Sequence, residues 1–174
     1  MEERILVPLD GTEVGEAILP KIEDLVFKTT PRMDTEVTLL RVISKMNYNA
    51  LTDADAAQLP YSQDEQAALV QQAQVYLDKV AAGLEAKGIR AKTRVTFGHA
   101  PEEIVKAARE TKVHLIAMAT HSRSGIVRWA IGSVTDKVMR LEGTIPVMAV
   151  KATGEKVKGP AISMDSLPNL AKNS

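Results

Sequence analysis

The residues best suited to chemistry gather in one stretch. Met118-Ala119-Thr120-His121-Ser122-Arg123-Ser124-Gly125 leads through residues 126–131 into Gly132-Ser133-Val134-Thr135. A strand-like run ends at Ala119, a loop of small residues follows, and a helical pattern starts at Gly132-Ser133. Small residues let backbone N–H groups approach phosphate oxygens closely. A helix N-terminus adds unsatisfied donors and a partial positive charge. Ser133 and Thr135 supply hydroxyl donors, and His121, Arg123 and Arg128 supply cationic or hydrogen-bonding groups. Each part suits a phosphate-bearing anion. Gly-Ser is equally an ordinary start to a helix, and arginines on a loop are commonly solvated, so spacing alone leaves both readings open.

Other chemistries find little support. There is no Gly-x4-Gly-Lys-Ser/Thr phosphate loop and no GxGxxG fingerprint. Cysteine is absent and the 3 histidines are scattered, which argues against disulfides, thiolate catalysis and a zinc enzyme. No Gly-x-Ser-x-Gly elbow appears. Phosphoryl transfer needs a positioned acceptor and usually acidic metal ligands. Asp10 and Asp136 are candidate Mg²⁺ partners, directly or through water, yet no general base stands out. His121 is explained as well by a phosphate contact as by catalysis. No catalytic residue and no protein-bound metal site is assigned, and slow hydrolysis is the most the sequence supports.

The elements that must position this loop alternate along the chain. Arg4 to Asp10 is a short β-branched run ending at the Gly11-Thr12 turn. Val14, Ile18, Ile22, Leu25 and Val26 fall at helical spacing, with Pro20 expected to kink the helix or limit its first turns. Glu36 to Ile43 reads as a second strand. Leu69, Ala73, Tyr76, Val80 and Leu84 mark a long helix stopped by Gly88. Ile89 to Phe97 alternates as a third strand, and Pro101 opens a helix running through Arg109. His114 to Ala119 is a fourth strand, Gly132 to Leu141 a last helix, and Pro146 to Lys151 a last strand. The order β-α-β-α-β-α-β-α-β predicts an α/β single domain: a five-stranded parallel sheet with helices on both faces. In such sheets ligands sit beyond the carboxyl ends of the strands, where strand order reverses.

Composition bounds the partners. The chain has 174 residues, 45% of them apolar and only 3% aromatic, so Val, Ile, Leu and Ala must fill the core. The formal net charge is zero, which gives no bulk electrostatic reason for binding nucleic acid or an anionic membrane. No run approaches the roughly 20 apolar residues that span a bilayer. The N-terminus lacks the pattern of a signal peptide, and a cytoplasmic location is expected. Residues 44–64 read as a long polar connection. Residues 152–174 read as a C-terminal tail, either flexible or docking on a neighbouring subunit through Ile162, Met164 and Leu167.

With these motifs in place the sequence resembles the universal stress proteins over roughly residues 1–151. Nucleotide-binding members carry Gly-x2-Gly-x9-Gly-Ser/Thr after the fourth strand. Here that spacing is Ala119-x2-Ser122-x9-Gly132-Ser133, with the first two glycines replaced by other small residues. Ile5 to Thr12 resembles the family's first strand and turn, and Gly98-His99-Ala100-Pro101-Glu102-Glu103-Ile104 its turn after the third strand. The resemblance implies a Rossmann-like fold of the adenine nucleotide alpha hydrolase type, and a homodimer paired through the last strand. It implies that Pro8, Leu9, Asp10, Val42 and Met118 surround adenine and ribose. It also implies that Ala119, His121, Ser122, Arg123, Gly132, Ser133, Val134 and Thr135 surround ribose and phosphates. The expected ligand is ATP, with AMP or ADP as alternatives and Mg²⁺ as a companion. The expected role is a sensor or regulatory switch, in which nucleotide orders the 120–131 loop together with 44–64 for an unknown protein partner. Two alternatives stand: a nucleotide-free interaction module of the same fold, and a slow ATPase or self-phosphorylating protein. On the residues alone, Asp10 is also a turn cap, Val42 and Met118 plain core, and His99 and His114 structural or solvated.

Overall fold

Period-two alternation along the strands sets two buried faces, and the helices divide between them. The computed structural model describes residues 2–29, 34–44, 61–120 and 132–152. In chain order the elements are β1 (Glu2–Pro8), α1 (Glu13–Glu16), α2 (Leu19–Thr29), β2 (Asp34–Ile43), α3 (Gln63–Glu85), β3 (Arg90–Phe97), α4 (Ala100–Glu110), β4 (Leu115–Thr120), α5 (Ser133–Leu141) and β5 (Val147–Lys151). All strand pairs are parallel, in the order β3-β2-β1-β4-β5. This is the five-stranded α/β sheet that the alternation of strands and helices predicts.

Val7, Leu9, Val37, Leu39 and Ala117 pack with Ile18, Ile22, Leu77, Ala81 and Leu84 on one face. Leu6, Leu40, Ile116 and Met118 pack with Ile104, Val105, Ala108 and Val138 on the other. Helices α2 and α3 therefore cover one side, α4 and α5 the opposite one. With so few aromatics, small aliphatic side chains fill both layers, as the composition requires.

Local chemistry explains most boundaries. Pro20 accounts for the break between α1 and α2. Its ring would clash with the carbonyl four residues back, and Glu16 is the last residue of α1. Pro20 itself sits in the first turn of α2, where its missing N–H costs nothing. Helix α3 starts at Gln63, so the polar connection read over 44–64 is shorter than expected. The reason is a capping box: Glu65 N–H bonds Ser62 Oγ at 3.3 Å and Ser62 N–H bonds Glu65 Oε2 at 2.8 Å. At the other end Gly88 adopts φ +80°, and Ile89 N–H reaches back to the Leu84 carbonyl at 3.1 Å. No helix among the described residues is long and apolar enough to cross a membrane.

Candidate functional site

The two central strands part at their carboxyl ends. The β1–β4 ladder is two residue pairs long, Ile5↔Leu115 and Leu6↔Ile116. By contrast β1 follows β2 as far as Pro8↔Leu40, and β4 follows β5 as far as Thr120↔Lys151. Strand order reverses at this same place, because the chain moves outward from β1 through β2 to β3 and then crosses to β4. A parallel sheet opens a crevice at such a point.

Beside the crevice, on the α4/α5 face, lies a groove of about 290 Å³. Its described lining comprises Val42 and Ser44 from the end of β2, Gly98 to Pro101 from the β3–α4 turn, and Ser133, Val134 and Lys137 from α5. Two helices thus begin at the groove, and they differ in charge. The first turn of α4 holds Glu102 and Glu103. The Glu102 carboxyl lies below its usual range, chiefly through its hydrogen bond from His99 and then through its own backbone N–H. Thr96 Oγ1 donates to Glu103 Oε2 at 3.2 Å. The start of α4 is therefore already supplied with anions. By contrast, among the described residues no side chain caps α5 at Gly132. Asp136, in its first turn, is ion-paired with Arg140 at 2.8 Å. The start of α5 keeps its positive end for another anion.

Gly98 makes the groove's turn possible. A Cβ there would come within 2.5 Å of Glu103 Cγ. Across the sheet edge, Asp10 organises the turn after β1. Its Oδ1 accepts from Thr12 N at 3.0 Å and Thr12 Oγ1 at 2.6 Å, and any Cβ on Gly15 would strike that oxygen. Arg41 Nη1 donates to the Leu9 carbonyl at 3.4 Å from β2. Burial pushes the Arg41 guanidinium pKa down, while Asp10 and Tyr76 oppose the shift. Tyr76 donates to Glu16 Oε1 at 2.9 Å, and burial followed by the Glu16 charge pushes its phenol pKa up. A fixed polar set thus underlies the β1 turn on the α3 side.

The sequence model described as the universal stress protein family matches residues 1–151. The chain belongs to the universal stress protein family. It is 27% identical over 160 residues to universal stress protein MJ0577 of Methanocaldococcus jannaschii, covering 87% of this chain and 96% of that one. A solved structure of protein MJ0577 superimposes with a TM-score of 0.65 at 25% identity, covering 88% and 98% of the two chains. An Arabidopsis thaliana universal stress protein family protein, solved with AMP bound, shares the fold at a TM-score of 0.58 and 14% identity, covering 87% and 93%.

Within this universal stress protein the expected site residues separate into groups. Val42, Ser133 and Val134 meet in the groove, joined by Ser44, His99 and Lys137, which sequence reasoning did not place there. Leu9, Met118 and Thr135 are buried. Leu9 packs toward α2 and α3, and Met118 toward α4 and α5. Pro8 and Ala119 border the parted strands, Asp10 follows β1, and Gly132 precedes α5. His121, Ser122 and Arg123 lie outside the described residues, as do Arg128 and Trp129. His99, read as structural or solvated, is exposed on the groove wall and holds Glu102. His114 is structural: its Nδ1 accepts from Arg4 N–H at 3.1 Å, tying β1 to β4. A sequence signal for Lys137 did exist, since it lies four residues after Ser133 and so on the same helix face.

Proposed function

We propose that this universal stress protein binds an adenine nucleotide and acts as a sensor or regulatory switch in a stress response, not as a rapid enzyme. The observation that carries this reading is the groove's polarity at the parted strands. Val42 offers an apolar wall at one end and the uncapped start of α5 an anion site at the other. In this reading Pro8, Leu9, Asp10, Val42 and Met118 enclose the base and ribose. The phosphates meet Gly132, Ser133, Val134 and Thr135, with Ala119, His121, Ser122 and Arg123 completing the loop. ATP is the preferred ligand, with AMP or ADP the rivals and Mg²⁺ a companion to the phosphates. Residues 1–151 form the binding unit, working in the cytoplasm as a homodimer paired through β5 for a protein partner.

The test is direct. The purified protein is denatured, and any released nucleotide is identified by anion-exchange chromatography and mass. Nucleotide in stoichiometric amount supports the reading. An empty protein is titrated with AMP, ADP and ATP, with and without Mg²⁺, and no binding at millimolar concentrations refutes it. Ala119 and Ser122, standing where nucleotide-binding members carry glycine, favour one rival: an interaction module of the same fold that works without nucleotide. That rival expects no binding by the wild type and new binding by Ala119→Gly with Ser122→Gly.

A further inference from the structure

The groove wall between α4 and α5 carries a lysine and a histidine that the proposed phosphate site at the start of α5 does not require, with Glu102 bonded to the histidine. Lys137 lines the groove one helical turn beyond Ser133. It forms no ion pair within 4.0 Å among the described residues. His99 lines the facing wall and engages Glu102 through Nδ1. A carboxylate can only accept, so Nδ1 carries the proton and donates it. Neighbouring cations are committed elsewhere: Lys106 to Glu103, Arg109 to Glu142 and Arg140 to Asp136. The Glu102 carboxylate is held by the His99 imidazole, and the Lys137 charge adds a smaller pull in the same direction. The chain's own acid marks a position that favours an anion.

We propose that Lys137 and His99 form a second anionic subsite of the groove, which takes a phosphoryl group beyond the one held at the start of α5 and which Glu102 fills when no ligand is bound. This rests on the nucleotide reading above and narrows its ligand class. The favoured ligands carry two separated phosphoryl groups. They are a nucleoside di- or triphosphate, whose terminal phosphate reaches the subsite, or a nucleotide bearing a second phosphate on the ribose. A nucleoside monophosphate leaves the subsite to Glu102. A second phosphoryl group must displace Glu102 from His99, so its charge is read against an internal competitor.

The full chain is titrated calorimetrically with AMP, ADP, ATP and adenosine 3′,5′-bisphosphate at one ionic strength. The wild type is expected to bind ADP and ATP, or the bisphosphate, roughly tenfold or more tightly than AMP, as one charge-assisted contact provides. Which ligand gains tells whether the subsite reads the phosphate chain or the ribose. Lys137→Met should erase most of that preference, and Glu102→Gln should enlarge it, because the competing charge is gone. Wild-type affinities equal across the series, or a Lys137→Met loss equal for AMP and the favoured ligand, overturn the subsite and leave the nucleotide reading standing. A wild type that binds none of the four overturns the reading beneath it.

Discussion

Glu142 closes the turn between α5 and β5 with a carboxylate whose side chain is fully buried. Oε1 accepts from Thr144 N at 3.0 Å, Thr144 Oγ1 at 2.8 Å and Ile145 N at 3.1 Å, and Oε2 accepts from Arg109 Nε at 3.0 Å. Burial alone would raise its pKa. The bonds from Thr144, Ile145 and Arg109 outweigh burial and bring it to about 2, from an ordinary 4.5. Because the folded-state value lies below the unfolded one, this group's stabilisation is present above pH 4.5 and is lost as pH falls toward about 2. Urea unfolding should show that loss in the wild type and a shallower one in Glu142→Gln. At neutral pH the variant should be less stable by about 1–3 kcal/mol, the cost of mismatched buried donors. A stability difference that is constant across this pH range would refute the assignment. Lys112 offers the opposite case. It ends α4 at φ 51°, while Gly88 does the same for α3 at φ 80°. Both ends return an N–H to the carbonyl five residues back, Val113 to Ala108 and Ile89 to Leu84. Lys112→Gly should relieve the left-handed strain and raise stability by roughly 0.5–1 kcal/mol, seen as a higher denaturant midpoint with unchanged slope.

Among the elements, α5 would couple stability to the nucleotide binding proposed above. Its start lacks a capping side chain among the described residues, so an acid placed there should steady the helix and expel an anion. Ser133→Asp is expected to stabilise the protein by about 0.5 kcal/mol through the helix dipole while weakening nucleotide binding by roughly tenfold or more. Thermal unfolding and calorimetric titration of the same variant check both halves. Unchanged nucleotide affinity would remove α5 from the site. The elements themselves were largely legible in the sequence, because each apolar run is either a continuous buried strand or a helical stripe. The differences lie at ends set by side chains rather than by periodicity. Ser62 and Glu65 start α3 six residues before its first regular apolar position, and the S-x-x-E spacing was there to be read. The groove was legible only in part. Val42, Ser133 and Val134 follow from strand ends and the family motif. Ser44 and Lys137 sit beside Val42 and Ser133 on the same elements and were there to be read, whereas His99 faces them only because α4 packs on α5 through Ile104, Val105 and Val138, a long-range contact that no local pattern announces. Asp10 shows how two readings of one residue coexist: the cap of the β1 turn is realised in its bonds to Thr12, and a carboxylate so fixed is also well placed to meet a ligand.

For the whole molecule the decisive contrast is between the two edges of the sheet. At β3 every second residue from Arg90 to Arg94 is a cation held by a neighbouring acid. Arg90 pairs with Glu2 and Asp34, Lys92 with Glu36, and Arg94 with Glu110. Exposed pairs of this kind add little stability, about 0–1 kcal/mol each. Their effect is to line this edge with charge on one face, which makes it a poor template for another strand. The β5 edge, Val147 to Val150, is apolar and ends in a single lysine, Lys151. Met148 and Val150 pack toward the α2/α3 face, while Ala149 is exposed on the other. Among the described residues one edge is therefore guarded and the other open, and pairing through β5 about a two-fold axis would be a self-complementary contact that extends the sheet. If the protein is the β5-paired homodimer proposed above, Ala149→Lys should sediment as a monomer, whereas Thr93→Lys on β3 should leave that dimer intact. Dissociation by the β3 substitution, or a wild type that sediments as a monomer at tens of micromolar, would reject β5 as the interface. Because Met118 pairs with Ala149 across β4 and β5, a dimer formed there would also brace the strand whose end borders the proposed site. Nucleotide affinity should then fall in parallel with dimerisation in Ala149→Lys, and unaltered affinity in the monomer would show that each groove works alone.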